Sequence, residues 1–415
     1  MLAGLLLVAP AFAAAAPPTA ASAPCLQRVL QELGWTFDHA PVDAARIDAG
    51  RPCDRDDLAA AQRAGDLRAT LPIDPSALPA ALNRVLADAG TRCAFAYLLG
   101  DATRRATTRL AANDGYRFSA LQAGWIGFGL RGARAAGWRP IRRFGRGFVP
   151  LDSNRRAIEA FYAGRVRSEC GVGRQVAQYA TQAELFGDAF DRAFAAEEIV
   201  IGTFRQLHGT RSVLLGSAAG EFERDGRARL ASARGRQAFA GLPGFIVHAF
   251  DRSFVDDSNN QAQNFVVHEV DASAAAALRE RGGFDAYNVR NRELWELSRR
   301  LDLPGLRGFQ RLFNEDVAAA HARLSPASRA VVAEMQALLA DPFYAGFRVY
   351  VHPHGVRSVG WHLVRLLDRN PRTPYRIELA LHNLHTTLFE RWLQHRLAGC
   401  GGAAVATAAP ASLRP

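Results

Sequence analysis

The sequence predicts an α+β fold, and three observations support that prediction. Apolar residues from Val172 to Phe186 recur at the spacing of one helical face, and Gly187 ends the run. Downstream, short runs rich in β-branched and aromatic residues predict strands. They are Glu198–Phe204, Ser212–Gly216, Phe245–Phe250 and Asn264–Val270, separated by Gly, Asp and Asn clusters. Helical and strand patterns then alternate towards the end of the chain.

Other elements follow from the same periodicities and from capping residues. Ser76 and Ser153 each precede a helical pattern, while Cys93–Leu99 fits either a strand or the start of a helix. Tyr116–Leu121 and Trp125–Leu130 predict a hairpin. Later helices are predicted at Asn291–Arg300, Ser325–Leu339, Val359–Leu367 and Asn383–Leu397, and later strands at Phe347–His352 and Tyr375–Leu381.

The chain has 415 residues, of which 49% are hydrophobic, so it is long enough for two or three domains. Residues 1–23 have the short apolar core and small-residue cleavage pattern of an export signal, too short to span a membrane. The predicted organisation continues with an N-terminal helical extension at 24–75, a cysteine domain at 76–313, a C-terminal α/β subdomain at 314–400 and a disordered tail at 401–415. The signal predicts a periplasmic or secreted protein.

The formal net charge is +11, and every basic residue is Arg. This charge predicts attraction to anionic surfaces such as envelope polymers. Nucleic acid is not expected as a partner, because the arginines are scattered and no helix-turn-helix, zinc finger or RNA-binding motif is present.

The chain contains five cysteines, which are Cys25, Cys53, Cys93, Cys170 and Cys400. In an oxidising compartment four are expected to pair and one to be left over as a reactive-site candidate. Cys170 is the candidate for the remaining thiol, because it stands beside a helix start. The connectivity of the other four does not follow from the sequence; Cys25 with Cys53 is the local choice, and it would leave Cys93 with Cys400.

Cys170 lies where a loop becomes a helix. Ser168 is the predicted N-cap, which places Cys170 in the first turn, where unpaired N–H groups and the helix dipole favour a thiolate. The alternative interpretation is a buried, inert cysteine.

Residues around this helix also resemble those of a known family. The matching features are Ala157-Ile158-Glu159, Glu169-Cys170, Tyr179-Ala180, Phe186-Gly187-Asp188, Phe190-Asp191 and the segment Leu297–Leu306. In these features the chain resembles the small bacterial protein-glutamine γ-glutamyltransferases of the spore-coat type, over about residues 76–313. The resemblance implies a papain-like core of the NlpC/P60 type. A nucleophile helix followed by antiparallel strands is the order of elements found in such folds.

In that family a cysteine attacks the γ-carboxamide of a protein glutamine, releases ammonia and passes the acyl group to a lysine amine. No calcium or other cofactor is required. By this resemblance Cys170 is the nucleophile, Glu169 is an adjacent carboxylate that shares the partner role, and the backbone N–H of Cys170 is an oxyanion donor.

The family's main partner acid and histidine have no direct match. Pro243–His248 lacks an acid, and Asn259–Asn264 lacks a histidine. His248 and His268 are the nearest substitutes. Asn264, Val266 and His268 share one strand face, so either Asn264 or His268 could face the nucleophile. His208 is a third choice, and for each of these side chains a hydrogen-bonded structural role is the competing interpretation.

A separate histidine cluster consists of His352, His354, His362, His382 and His385. His-x-His on a strand can hold a transition metal, but no Asp, Glu or Cys stands at matching spacing. Core packing is therefore favoured here, and no metal site is predicted.

Two other functions fit the same fold and thiol. One is a cell-wall amidase or peptidase of the NlpC/P60 type. The other is a non-catalytic envelope binding protein, a relative in which the missing partner acid marks the loss of activity.

Overall fold

The computed structural model describes most of the chain after residue 88. The described residues are 89–118, 137–141, 147–202, 212–214, 239–241, 243–249, 263–301, 308–314, 317–367, 376–381 and 385–400, with short pieces at 25, 28–29, 32–33, 35–37, 44–47 and 71–72. The predictions for the export signal, the helix opened by Ser76, the strand Trp125–Leu130, His208 and the C-terminal tail lie outside these residues.

The first part of the chain contains one long helix, the cysteine helix and several short strands. Its elements are β1 (Trp35–Phe37), β2 (Ala44–Ile47), β3 (Leu71–Pro72), α1 (Ala89–Ala111), β4 (Tyr116–Phe118), β5 (Trp138–Pro140), β6 (Phe148–Pro150), α2 (Asn154–Glu159), β7 (Val166–Ser168), α3 (Cys170–Phe186) and α4 (Phe190–Ala193). The ambiguous segment Cys93–Leu99 is helical, within α1. β4 pairs in parallel with β7, and the second strand of the predicted hairpin lies outside the described residues, so the hairpin stays a prediction.

The second part alternates helices with longer strands. Its elements are β8 (Pro243–Ala249), β9 (Gln263–Val270), α5 (Ala272–Glu280), α6 (Phe284–Arg299), α7 (Gly308–Phe313), α8 (Val317–Ala322), α9 (Pro326–Leu339), α10 (Pro342–Gly346), β10 (Phe347–Val351), β11 (Gly355–Ser358), α11 (Val359–Leu367), β12 (Arg376–Leu381) and α12 (His385–Ala398). The predicted helices and strands in this part are confirmed within one or two residues, except that the helix predicted at Asn291 begins earlier, at Phe284. The fold is α+β.

Five strands form one antiparallel sheet in the described part of the chain, in the order β11-β10-β9-β8-β12. β8 and β9 belong to the predicted cysteine domain, whereas β10, β11 and β12 belong to residues 314–400. β9 pairs with β10, and β8 pairs with β12. The sheet therefore contains strands from both sides of the boundary predicted after Phe313.

The sheet lies between two layers of helices. Val266 of β9 and Tyr350 of β10 join the apolar cluster of α1, α3 and α12 on one face. Phe265, Val267 and Val349 join the cluster of α5, α6, α9, α10 and α11 on the other. This alternation is the period-2 pattern of a strand buried on both faces.

A disulfide joins the two ends of the chain, since Cys25 is bonded to Cys400. This bond excludes the local choice, Cys25 with Cys53, and with it the pairing of Cys93 with Cys400; the sequence had left the connectivity open. Cys400 follows α12, which packs on the cluster that also contacts Cys25, so tertiary packing overrides closeness in sequence. Among the described residues, no helix combines the length and apolar character that a bilayer crossing requires.

Candidate active site

Helix α3 is largely buried and is hydrogen-bonded to its surroundings, which fixes the position of its first residue, Cys170. It packs on α1 and β9, and most of its residues are buried. The side-chain amide of Gln175 donates to the Gly202 carbonyl at 2.7 Å and accepts from the Gly202 N–H at 3.0 Å. The hydroxyl of Tyr179 donates to the Val200 carbonyl at 3.1 Å. Because these buried polar groups are paired, the helix is anchored along its length.

Glu169 is the N-cap of α3. Its carboxylate accepts hydrogen bonds from the backbone N–H groups of Gly171 at 2.7 Å and Val172 at 2.6 Å. The prediction of Ser168 as the N-cap is wrong, since Ser168 ends β7 and its hydroxyl is hydrogen-bonded to the Tyr116 hydroxyl at 2.6 Å. Cys170 is the first residue of the helix, as expected.

Among the described residues, Glu169 and Asn264 contact the sulfur of Cys170 through polar side chains. The thiol donates to Glu169 Oε2 at 3.6 Å, and the Asn264 side-chain amide donates to Sγ at 3.5 Å. Both distances are within the range of hydrogen bonds to sulfur. The structure therefore brings together three of the candidate residues, Cys170, Glu169 and Asn264.

The thiol is not activated in this arrangement. Burial, and next the carboxylate of Glu169, raise the pKa of Cys170 to about 11, although the amide of Asn264 opposes this. The side chain is only 5% exposed. The direction of this shift is opposite to the one expected from the helix start, because the sulfur is buried and because Glu169 places a negative charge beside it.

His268 lies on the same face of β9 as Asn264 and Val266, as predicted, but not beside the sulfur. Its Nδ1 is 2.8 Å from the Thr107 hydroxyl of α1, and burial lowers its pKa to about 4. Four residues of strand place it roughly 13 Å along β9 from Asn264. His248 lies in β8 opposite Ile377, and its side chain is outside the described part of the chain.

His352 is a residue near the site that the sequence did not single out for this role. Its Nε2 donates to the Ser168 carbonyl at 3.0 Å, and its ring is stacked on Tyr116 at 3.8 Å between centroids. Burial lowers its pKa to about 4. A Cβ at position 173 would collide with the His352 side chain, so Gly173 permits this approach. A glycine inside a helix, one turn after the nucleophile, was the available signal.

Arg174 is a second residue near the site that the sequence did not single out for this role. It lies four positions after Cys170, which places both on one side of α3. Its charge interacts with Glu169 and with Cys170, and burial lowers its pKa. Its Nε is buried and has no hydrogen-bond partner in the part of the chain that the structure describes.

The described members of the histidine cluster do not come together as a ligand set. His352 contacts Ser168, whereas His354 and His362 have ring centroids 6.4 Å apart. The described residues include no group of three or more His, Cys, Asp or Glu side chains that is suited to hold a metal ion. His382 and the side chain of His385 lie outside the description.

Comparisons with known proteins add no assignment. No family model, curated protein or solved structure matches this chain.

Proposed function

We propose that the protein is a thiol acyltransferase that acts on glutamine side chains of proteins through Cys170. One observation carries the proposal. At the start of a buried, well-anchored helix, a thiol contacts a carboxylate at 3.6 Å and an amide donor at 3.5 Å. A nucleophile, a proton acceptor and a hydrogen-bond donor are the groups that acyl transfer requires.

In the first half of the reaction, Cys170 Sγ attacks the carbonyl carbon of a glutamine γ-carboxamide. The thiol proton passes to the carboxylate of Glu169 as the C–S bond forms. When the tetrahedral intermediate collapses, the C–N bond breaks and Glu169 returns the proton to the leaving nitrogen. Ammonia departs and a thioester remains on Cys170.

In the second half, an amine attacks the thioester carbon. Glu169 accepts a proton from the attacking nitrogen and returns it to the sulfur as the C–S bond breaks. A lysine amine gives an isopeptide cross-link, and water gives glutamate, which is net deamidation. Asn264 donates to the sulfur and so stabilises charge on it in both halves.

The arrangement of elements supports a papain-like core. The cysteine begins α3, which packs across the antiparallel sheet, and the neighbouring strand β9 supplies Asn264. The Cys25–Cys400 disulfide fits an oxidising compartment such as the periplasm. The net charge of +11 fits protein substrates at anionic envelope polymers.

The test is amine incorporation. Purified protein is incubated with dimethylated casein and a fluorescent primary amine, beside the variants Cys170→Ser and Cys170→Ala. We expect labelled casein with the wild type and loss of labelling in both variants. The double variant Cys25→Ser/Cys400→Ser is the matched control, because it removes two other cysteines and should keep activity if it remains folded.

A parallel incubation with purified peptidoglycan separates the alternatives. New amino groups from peptidoglycan without casein labelling would favour the cell-wall amidase or peptidase. Neither product, together with no reaction of Cys170 towards acyl donors, would favour a binding protein and contradict the proposal.

A further inference from the structure

Arg174 lies within electrostatic range of the reacting sulfur, and it forms no ion pair with an acid in the part of the chain that the structure describes. It follows Cys170 by four residues, a rise of about 6 Å along the same side of α3. None of the described carboxylates forms an ion pair with Arg174. The charge of its guanidinium does interact at longer range with Glu169 and Cys170. Several other arginines of the described part, such as Arg155 and Arg391, do form ion pairs.

The buried Nε of Arg174 has no hydrogen-bond acceptor among the described residues. A buried donor without an acceptor lowers stability by about 1–3 kcal/mol, and by more when the group is charged. An anionic ligand would satisfy this donor and offset that cost. The observation therefore indicates a place for a negatively charged oxygen.

Three other donors near the start of α3 are already used. The N–H groups of Gly171 and Val172 donate to the Glu169 carboxylate, and the N–H of Gly173 donates to the Glu169 carbonyl at 2.8 Å. An oxygen that becomes negative beside the sulfur cannot use them while Glu169 caps the helix. The Nε–H of Arg174 is therefore the donor that such an oxygen could use.

We propose that Arg174 is the anion-binding residue of the Cys170 site. It binds the acyl oxygen that becomes negative when a carboxamide or thioester carbon becomes tetrahedral. This inference rests on the proposed function, and it assigns part of the oxyanion stabilisation to a side chain of α3, beyond the N–H of Cys170 that the sequence indicates.

The first test compares two alkylating reagents of similar size, because it does not require turnover. Iodoacetate carries a carboxylate close to where the oxyanion would lie, whereas iodoacetamide is neutral. The ratio of their rates at Cys170 is measured by peptide mass mapping. We expect Arg174→Gln to lower the iodoacetate-to-iodoacetamide ratio about 3- to 10-fold, as the loss of one charge interaction predicts.

Matched variants make this test specific. Arg174→Lys keeps the charge and should retain most of the ratio. Arg167→Gln removes an exposed arginine three residues before Cys170 and should leave the ratio unchanged. If Arg174→Gln does not fold, Arg174→Met removes the charge with an apolar side chain of similar length.

The second test is kinetic. With the amine-incorporation assay, Arg174→Gln should lower kcat about 100-fold with little change in KM, the pattern expected for a group that binds the transition state. An unchanged alkylation ratio in a folded, charge-free variant would overturn the role of Arg174 and leave the proposed function standing. A lowered ratio in a protein that incorporates no amine would overturn the proposed function and retain an anion site at Cys170.

Discussion

Replacing Glu169 with glutamine should change two properties of Cys170 in opposite directions. The carboxylate beside the sulfur raises the pKa of the thiol and is also the proposed proton acceptor. Glu169→Gln keeps an oxygen that can accept from the N–H groups of Gly171 and Val172, so the cap is largely preserved. We therefore expect faster alkylation of Cys170 and slower acyl transfer.

The magnitude follows from the distance. Two unit charges 3.6 Å apart interact by about 1 kcal/mol in water and by about 4–5 kcal/mol at an effective dielectric constant near 20. Loss of this repulsion should lower the pKa of Cys170 by about one to three units from its value of about 11. Because a less basic thiolate is also a weaker nucleophile, the rate of alkylation at neutral pH should rise roughly 3- to 50-fold.

The assay is the rate of iodoacetamide labelling at Cys170, followed by peptide mass mapping, beside amine incorporation into casein. Loss of the general base should lower amine incorporation by about 100-fold. Glu159→Gln is the matched control, because Glu159 is paired with Arg155 on α2 and should leave both rates unchanged. Slower alkylation in a folded Glu169→Gln protein would refute the reasoning, as would faster alkylation accompanied by faster acyl transfer.

Three further predictions concern stability. Gly173→Ala should lower the free energy of unfolding by about 1–3 kcal/mol in a urea titration, because the added methyl group collides with His352; an unchanged midpoint would contradict this packing. The depressed pKa values of His268 and His352, both about 4, stabilise the fold above pH 6.5, and this stability should be lost as the pH falls towards 4. Protonation of each histidine in this range should lower the free energy of unfolding by about 3 kcal/mol. His352→Gln should therefore flatten the dependence of stability on pH between pH 6.5 and 4. An equally steep profile in that variant would contradict this role of His352. Reducing the Cys25–Cys400 disulfide should lower the free energy of unfolding by about 2–5 kcal/mol, whereas equal urea midpoints with and without reductant would show that it contributes nothing.

Local patterns predicted much of the fold. The helix α3 ends at Gly187, as predicted, because apolar spacing and a glycine stop are read within a few residues, and that glycine has a φ of +55°. The shared face of Asn264, Val266 and His268 also followed from strand alternation alone. These features depend on neighbours in sequence.

Features that depend on distant residues could not be predicted in the same way. The N-cap moved from Ser168 to Glu169 because the serine hydroxyl is taken by Tyr116, 52 residues earlier. The disulfide joins residues 375 positions apart because the chain ends pack on one core. No local pattern carries this information.

The pKa of the Cys170 thiol could also not be predicted from the sequence. A cysteine at a helix start predicts a lowered pKa, but the direction reverses when the sulfur is buried and a carboxylate caps the helix. The position of His352 beside the site likewise depends on how the residues after β10 pack on α3, whereas the position of Arg174 follows from its spacing of four residues from Cys170.

The most direct test of the account is to trap the acyl-enzyme. The protein is incubated with a glutamine-containing peptide in the absence of amine, and its intact mass is measured before and after treatment with hydroxylamine. We predict an adduct on Cys170 equal to the peptide less ammonia, removed by hydroxylamine and absent from Cys170→Ala. No adduct in the folded wild type, or the same adduct in Cys170→Ala, would contradict acyl transfer through this thiol.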